Sequence, residues 1–193
     1  MSRKLIALLF LAPTIARADS PLPDVGDREI SGELGIAAGA RTTPGGLRFA
    51  GHFLYELSDT DWFDGVVAFT FGSGQAACFR DRADVFVCDH GQLDGFAGEL
   101  GGGVRRFLSA SQGFRPYVRI GATARVFRFD DDGVSGFAIP ISVGAGVRVR
   151  VADNIAIGGQ AAIEVGPGWL GHGLGAQLER GFAIGALAEI ALP

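Results

Sequence analysis

Lysine is almost missing from this chain: Lys4 is the only one, and every later cation is arginine or histidine. No basic block occurs and the formal net charge is −4, which argues against nucleic acid as a partner. Past the N-terminal leader no segment holds 18 consecutive apolar residues, so no helix is expected to cross a bilayer. Only two cysteines and three histidines are present. Cys78 and Cys88, with Asp89 and His90 beside them, leave a Cys/Cys/His/Asp metal site as the minor alternative, since a metal site would want more ligands nearby. In an exported chain the two cysteines read instead as a disulfide closing a polar loop. No cofactor is expected. A Gly-x-Ser-x-Gly or His-x-Ser motif is also lacking, so no hydrolase nucleophile with its base stands out. Asp130-Asp131-Asp132-Gly133 lacks the spread ligands of a calcium loop and reads as a solvated tip. Gly101–Gly103 precedes no helix and cradles no phosphate.

What is present begins with an export signal. After Ser2, Arg3 and Lys4 carry positive charge, Leu5 to Ala12 is a short apolar run, and Ala16-Arg17-Ala18 is a small-x-small triplet. This order is that of a secretory signal peptide. Residues 1–18 are therefore expected to leave, 19–29 to form a periplasmic lead-in, and 30–193 to form one domain.

That domain alternates almost throughout. From Gly136 to Asp153, Phe137, Ile139, Ile141, Val143, Ala145, Val147, Val149 and Val151 share one face. Ala138, Pro140, Ser142, Gly144, Gly146, Arg148 and Arg150 share the other. A period of two over such a length predicts a long strand. Ala152-Asp153-Asn154 is a tight turn, and Ile155 to Val165 alternates again. Eight strands are expected, near 30–40, 46–58, 62–72, 94–108, 115–129, 136–151, 155–166 and 174–191. The fourth should bulge or change phase at its glycine triplet, and the eighth should slip near Glu179-Arg180-Gly181. Pro140 should fall near a strand end or a bulge.

Alternation does not say which face looks out. The weaker face holds Arg148, Arg150, Gln160, Glu164 and Glu189 among many glycines and alanines, and the chain has 31 glycines. A water-facing surface would gain nothing from them, whereas a narrow eight-stranded lumen has room for little else. The apolar face is accordingly placed outside, against lipid. A soluble barrel with the apolar face inside, lining a ligand cavity, is the reverse case. Aromatic residues from Phe53 and Tyr55 through Trp62, Phe63, Phe107, Tyr117, Phe127, Phe129 and Phe137 gather towards strand ends, as interface girdles do.

With that hairpin, Val147-Arg148-Val149-Arg150-Val151-Ala152-Asp153-Asn154-Ile155-Ala156-Ile157, the chain resembles the small outer-membrane β-barrel proteins of Gram-negative bacteria, of the OmpA/OmpX general type. The resemblance implies an eight-stranded antiparallel up-and-down transmembrane barrel in the cell outer membrane. It implies outer-membrane lipid and the outer-membrane assembly machinery as partners. Barrels of this kind usually end in an aromatic residue; here the end is Ile190-Ala191-Leu192-Pro193, which puts the insertion route in question. No periplasmic domain like that of OmpA is expected.

Within such a barrel His52, Glu56, Arg119, Arg125, Arg148, Arg150, Glu164 and Glu189 are expected to form a lumen charge network, with Asp64 and Glu99 among their partners. Charges in a low-dielectric interior persist only when paired or hydrated. Full pairing gives a largely filled lumen and a structural or surface-interaction role, with loop 73–93 as the candidate contact for an extracellular partner. Residual water gives a narrow small-solute channel. A lipid hydrolase using His52 is a third reading.

Overall fold

The computed structural model describes residues 26–40, 44–72, 77–80, 86–89, 95–109, 113–130, 133–171 and 175–193. The signal-peptide residues, His90, His172 and the tip residues Asp131 and Asp132 lie outside them. Eleven strands follow in chain order: β1 Arg28–Ala40, β2 Gly46–Glu56, β3 Asp61–Gly72, β4 Ala77–Arg80, β5 Phe86–Asp89, β6 Gly95–Phe107, β7 Phe114–Phe129, β8 Ser135–Ala138, β9 Ile141–Ala152, β10 Ile155–Leu170 and β11 Gly175–Ala191. The pairs β4 and β5 form a separate hairpin inside the loop between β3 and β6. The rest close a ring, β1 to β2, β3, β6, β7, the tandem β8/β9, β10, β11 and back to β1, all antiparallel. The tandem occupies one position, so the wall has eight.

Register fixes the barrel's shape. From Ile30 the partners run through Phe53, Gly65, Gly102, Ala122, Ile141, Val165 and Arg180 back to β1 at Ala40, ten residues along. A stagger of ten over eight strands tilts them by about 40° and gives a backbone diameter of about 16 Å. That is a narrow lumen.

Two irregularities expected from the sequence are not there. Pairing along β6 is continuous from Gly95 to Phe107, with no bulge at the glycine triplet. Pairing along β11 is continuous through Glu179, Arg180 and Gly181, with no slip. Glycine carries no side chain, so alternation disappears across Gly101–Gly103 and resumes in phase: Arg105 points in and Arg106 points out. The one shift lies between Ile155 and Ala156, at the β9–β10 turn. Pro140 separates β8 from β9, yet the register on both sides is unchanged, Ala138 with Arg125 and Ile141 with Ala122.

The glycines do more than save room. A Cβ on Gly35 would lie 2.2 Å from the Ile184 carbonyl oxygen, and one on Gly103 2.1 Å from that of Ile120. These lumen-face positions are where a tightly coiled wall brings neighbouring backbones together, and only glycine fits. The outward Gly32 and Gly51 meet nothing within 4 Å.

Candidate functional site: the lumen, its mouths and the outer band

The outward face is apolar, with Ile163 68% and Leu100 65% exposed. Along the described wall strands its charges stand only at the two ends. Arg28, Asp61 and Arg106 lie at the end bearing the short turns, and Arg128 and Arg180 at the end bearing the longer loops. Between them Phe96 to Val104 on β6 and Phe182 to Ile190 on β11 carry no outward charge. Nine tilted residues span about 20–25 Å, the height of the apolar band on outer-membrane barrels. Water would leave this band exposed over the whole circumference, so the fold is that of a transmembrane barrel.

Aromatics edge the band. Phe49, Phe69, Phe71 and Phe96 form one outward cluster, and Phe137 stacks on Trp169 with centroids 6.1 Å apart. Tyr55, Phe53, Phe63 and Phe114 are exposed towards the other end. Trp62, Phe107, Tyr117, Phe127 and Phe129, expected in the girdles, are buried instead. Their parity along β3, β6 and β7 turns them into the lumen, where they close its mouths.

The mouth at the short-turn end is filled by Leu54, Trp62, Phe107, Tyr117 and Leu187. The guanidinium of Arg115 lies 4.0 Å from the Phe107 ring centre and that of Arg105 4.5 Å from that of Tyr117, so cations cap the aromatic faces. The opposite mouth is filled by Ala97, Phe127, Phe129, Val134, Ala138 and Leu170.

Between the mouths stand two charged layers. In the first, Arg105 is fully buried, donating to Asp64 of β3 at 3.1 Å and to Glu189 of β11 at 2.5 Å. Arg119 lies 3.0 Å from Asp64. Arg148 bridges Glu29 at 2.6 Å and Glu189 at 2.9 Å. His52 sits between two acids, Nδ1 2.8 Å from Asp64 and Nε2 3.1 Å from Glu33, which also accepts from Gln160 at 2.5 Å. Each ring nitrogen thus faces a carboxylate oxygen, which requires a proton in each contact. In the second layer Arg125 pairs with Glu99 at 3.0 Å and with Glu164 and Glu179, and Arg48 reaches Glu99 at 3.3 Å. The belt between the layers is made mostly of small residues, Ala50, Ala68, Gly101, Ser142, Ala162, Ala183 and Gly185, with Val66 and Thr123 among them.

Of the residues singled out from the sequence, His52, Arg119, Arg125, Arg148, Glu164 and Glu189 enter these layers. Glu56 and Arg150 lie on the lumen side near the short-turn mouth and close no ion pair with a described residue. Arg105, Glu29, Glu33 and Glu179 were not singled out, although their parity places them on the lumen face. Ser31 stands directly opposite His52 in register, but both ring nitrogens are taken by carboxylates and no bond joins Ser31 to His52. The pair therefore lacks the nucleophile–base contact that acyl transfer needs. Backbone register sets Cys78 opposite Cys88 on the β4–β5 hairpin.

No protein-family model matches the chain, and no curated protein matches it either. Solved structures do. The chain is similar to Neisserial surface protein A at 12% identity, over 84% of this chain and 96% of that one, with a TM-score of 0.64. It also aligns with the attachment invasion locus protein Ail of Yersinia pestis at 16% identity, over 86% and 99%, TM-score 0.46. The N-terminal β-barrel domain of Pseudomonas aeruginosa OprF aligns at 16%, over 84% and 97%, TM-score 0.43. At such identities the first of these shows a shared fold, that of the small outer-membrane barrels.

Proposed function

We propose that the chain is an outer-membrane barrel of a Gram-negative cell, exported through a cleaved signal peptide, whose lumen is closed to solutes and whose role is structural or surface-interactive rather than catalytic. The observation that carries this reading is Arg105, held between β3 and β11 across a lumen that apolar side chains stop at both ends. A barrel closed in this way acts through its wall and its outer loops. The wall's apolar band takes outer-membrane lipid, and the assembly machinery would insert it. The loop 73–93, with its hairpin and opposed cysteines, is the surface offered to an extracellular partner, and a Cys78–Cys88 disulfide would hold it in shape.

The test is fractionation of expressing cells, electrophoresis of the membrane pellet with and without boiling, and conductance of the purified protein in planar bilayers. A heat-shifted band in the outer-membrane pellet with no steady conductance is the expected result. Soluble protein in the periplasm would overturn the location, and steady unit conductance would overturn the closed lumen. A narrow channel is the second reading, favoured by buried lumen atoms without a protein partner, among them Arg48 Nη1, Arg125 Nε and Arg148 Nη1, which suit a few waters.

A further inference from the structure

Among the described residues two places in the wall lack returned bonds: Pro116, which takes the Leu108 N–H at the short-turn end, and a wider one at Pro140 and Pro167. Ile139 N–H donates to the Pro167 carbonyl at 3.0 Å, and Thr123 N–H donates to the Pro140 carbonyl at 3.1 Å. In an antiparallel ladder such partners return the bond. Proline has no N–H, so neither Pro167 nor Pro140 can return it. The Ile139 and Thr123 carbonyls lose their ladder donors, and residues 139–140 are held by one bond on each side. The register does not shift here, so this is no bulge that re-aims the chain. In hydrocarbon an unpaired carbonyl is costly, and a barrel wall normally leaves none.

This wider place lies at the loop-side edge of the apolar band, below Arg128 and beside the outward Arg180, which stands opposite Val165. Its outward neighbours Val126, Ile139, Ile141 and Val165 are all exposed to the bilayer side. Its lumen side is lined by Thr123, Ala138, Pro140, Gly166 and Gly168, with Arg125 opposite Ala138 and a Glu179 carboxylate oxygen 3.7 Å from where a Gly168 Cβ would lie. Ala138 is also part of the apolar cluster with Phe127, Phe129 and Leu170 that fills the outer mouth. An apolar interior at the mouth that meets water is the reverse of what aqueous passage needs. Beneath it Arg125 and its three carboxylates form a charged floor.

From this juxtaposition we propose that the wall at Pro140 and Pro167 is a lateral port through which the apolar tail of a membrane amphiphile enters the outer-mouth cluster. The tail comes from the bilayer, stops on the charged floor and leaves the rest of the lumen closed. The proposal rests on the membrane reading above and goes beyond it by assigning the barrel a lipid-tail site.

The test uses the full chain in phospholipid vesicles, with Cys78→Ser and Cys88→Ser as background, and two maleimides: one dissolved in the bilayer, one sulfonated and confined to water. Ile141→Cys, on the outward face, reports the bilayer alone. Ala138→Cys, on the lumen face beside the port, reports entry. Gly168→Cys is the second reporter should the first not fold, since a Cβ there meets only ordinary contacts. The bilayer reagent should label Ile141→Cys and Ala138→Cys, the water-confined one neither. Adding Pro140→Ala and Pro167→Val returns both donors and should slow labelling of Ala138→Cys at least tenfold without changing Ile141→Cys. Unlabelled Ala138→Cys beside labelled Ile141→Cys overturns the port alone, as does an unchanged rate with the donors restored, or faster labelling from water. Failure of the bilayer reagent to reach Ile141→Cys overturns the membrane reading, and the port with it.

Discussion

Arg105 Nη1 and Glu189 Oε1 meet 2.5 Å apart across the lumen, joining strands 84 positions apart in sequence. The contact ties β6 to the last strand of the ring, and Arg105 binds Asp64 as well, so one guanidinium serves two walls. Removing it by Arg105→Ala leaves two buried carboxylates without their shared cation. Asp64 keeps Arg119 and His52 and Glu189 keeps Arg148, so the cost falls below the about 3–5 kcal/mol of a buried charge left with no partner. The folded, heat-resistant band should convert at clearly lower urea than in the parent, measured by electrophoresis after titration in vesicles. An unchanged midpoint would mean the layer is hydrated and contributes little.

The glycine contrast is sharper. Gly103→Ala forces a Cβ to within 2.1 Å of the Ile120 carbonyl oxygen, a backbone atom that cannot move without opening the β6–β7 ladder. Gly32→Ala and Gly51→Ala add a methyl that meets nothing within 4 Å. The yield of folded barrel on refolding into detergent should collapse for the first and stay at the parent level for the other two. Equal yields for all three would show that lumen glycines serve only to save space.

These two predictions mark where the sequence was legible. The outward apolar face of β9 and β10 could be read from Val147, Val149 and Val151 and from Ile155, Ile157 and Ile163, because β-branched residues recur there at every second position apart from Gly159 and Ala161. The closing partner of the network could not. Arg105 follows three glycines, which erase the parity signal, and Glu179 stands beside Arg180 and Gly181, where adjacent charges look like a slip. Parity counted straight through the glycines would have placed both inside. It would also have sent Trp62, Phe107 and Tyr117 to the lumen rather than to a girdle. The lumen pairs themselves join residues such as Glu29 and Arg148, brought together only when the ring closes, and no local pattern encodes that contact.

The hairpin in the loop between β3 and β6 makes a separate prediction. Cys78 and Cys88 are directly opposed in an antiparallel pair, a spacing a disulfide can bridge. Thiol titration of the oxidised, denatured protein should find no free thiol, and Cys78→Ser should expose one. Heat modifiability of the barrel should be the same with and without Cys88→Ser, because the hairpin is a sheet of its own. Two free thiols in protein recovered from the outer membrane would remove the disulfide.

The charge-free band can be probed at its middle and its edge. Leu100 is 65% exposed on the outward face of β6, while Arg106 on the same face already stands at the rim, paired with Asp61 at 3.1 Å. An arginine placed near the bilayer midplane on a barrel's lipid face costs about 2–4 kcal/mol, and near the interface about 0–1. Leu100→Arg should therefore lower the unfolding midpoint in vesicles strongly, while Leu108→Arg, beyond the rim on the same strand, should leave it nearly unchanged. If the outward face met water instead of lipid, both substitutions would put a cation into water and neither would destabilise. A strong loss at residue 100 with none at 108 is thus a measurement of where lipid begins.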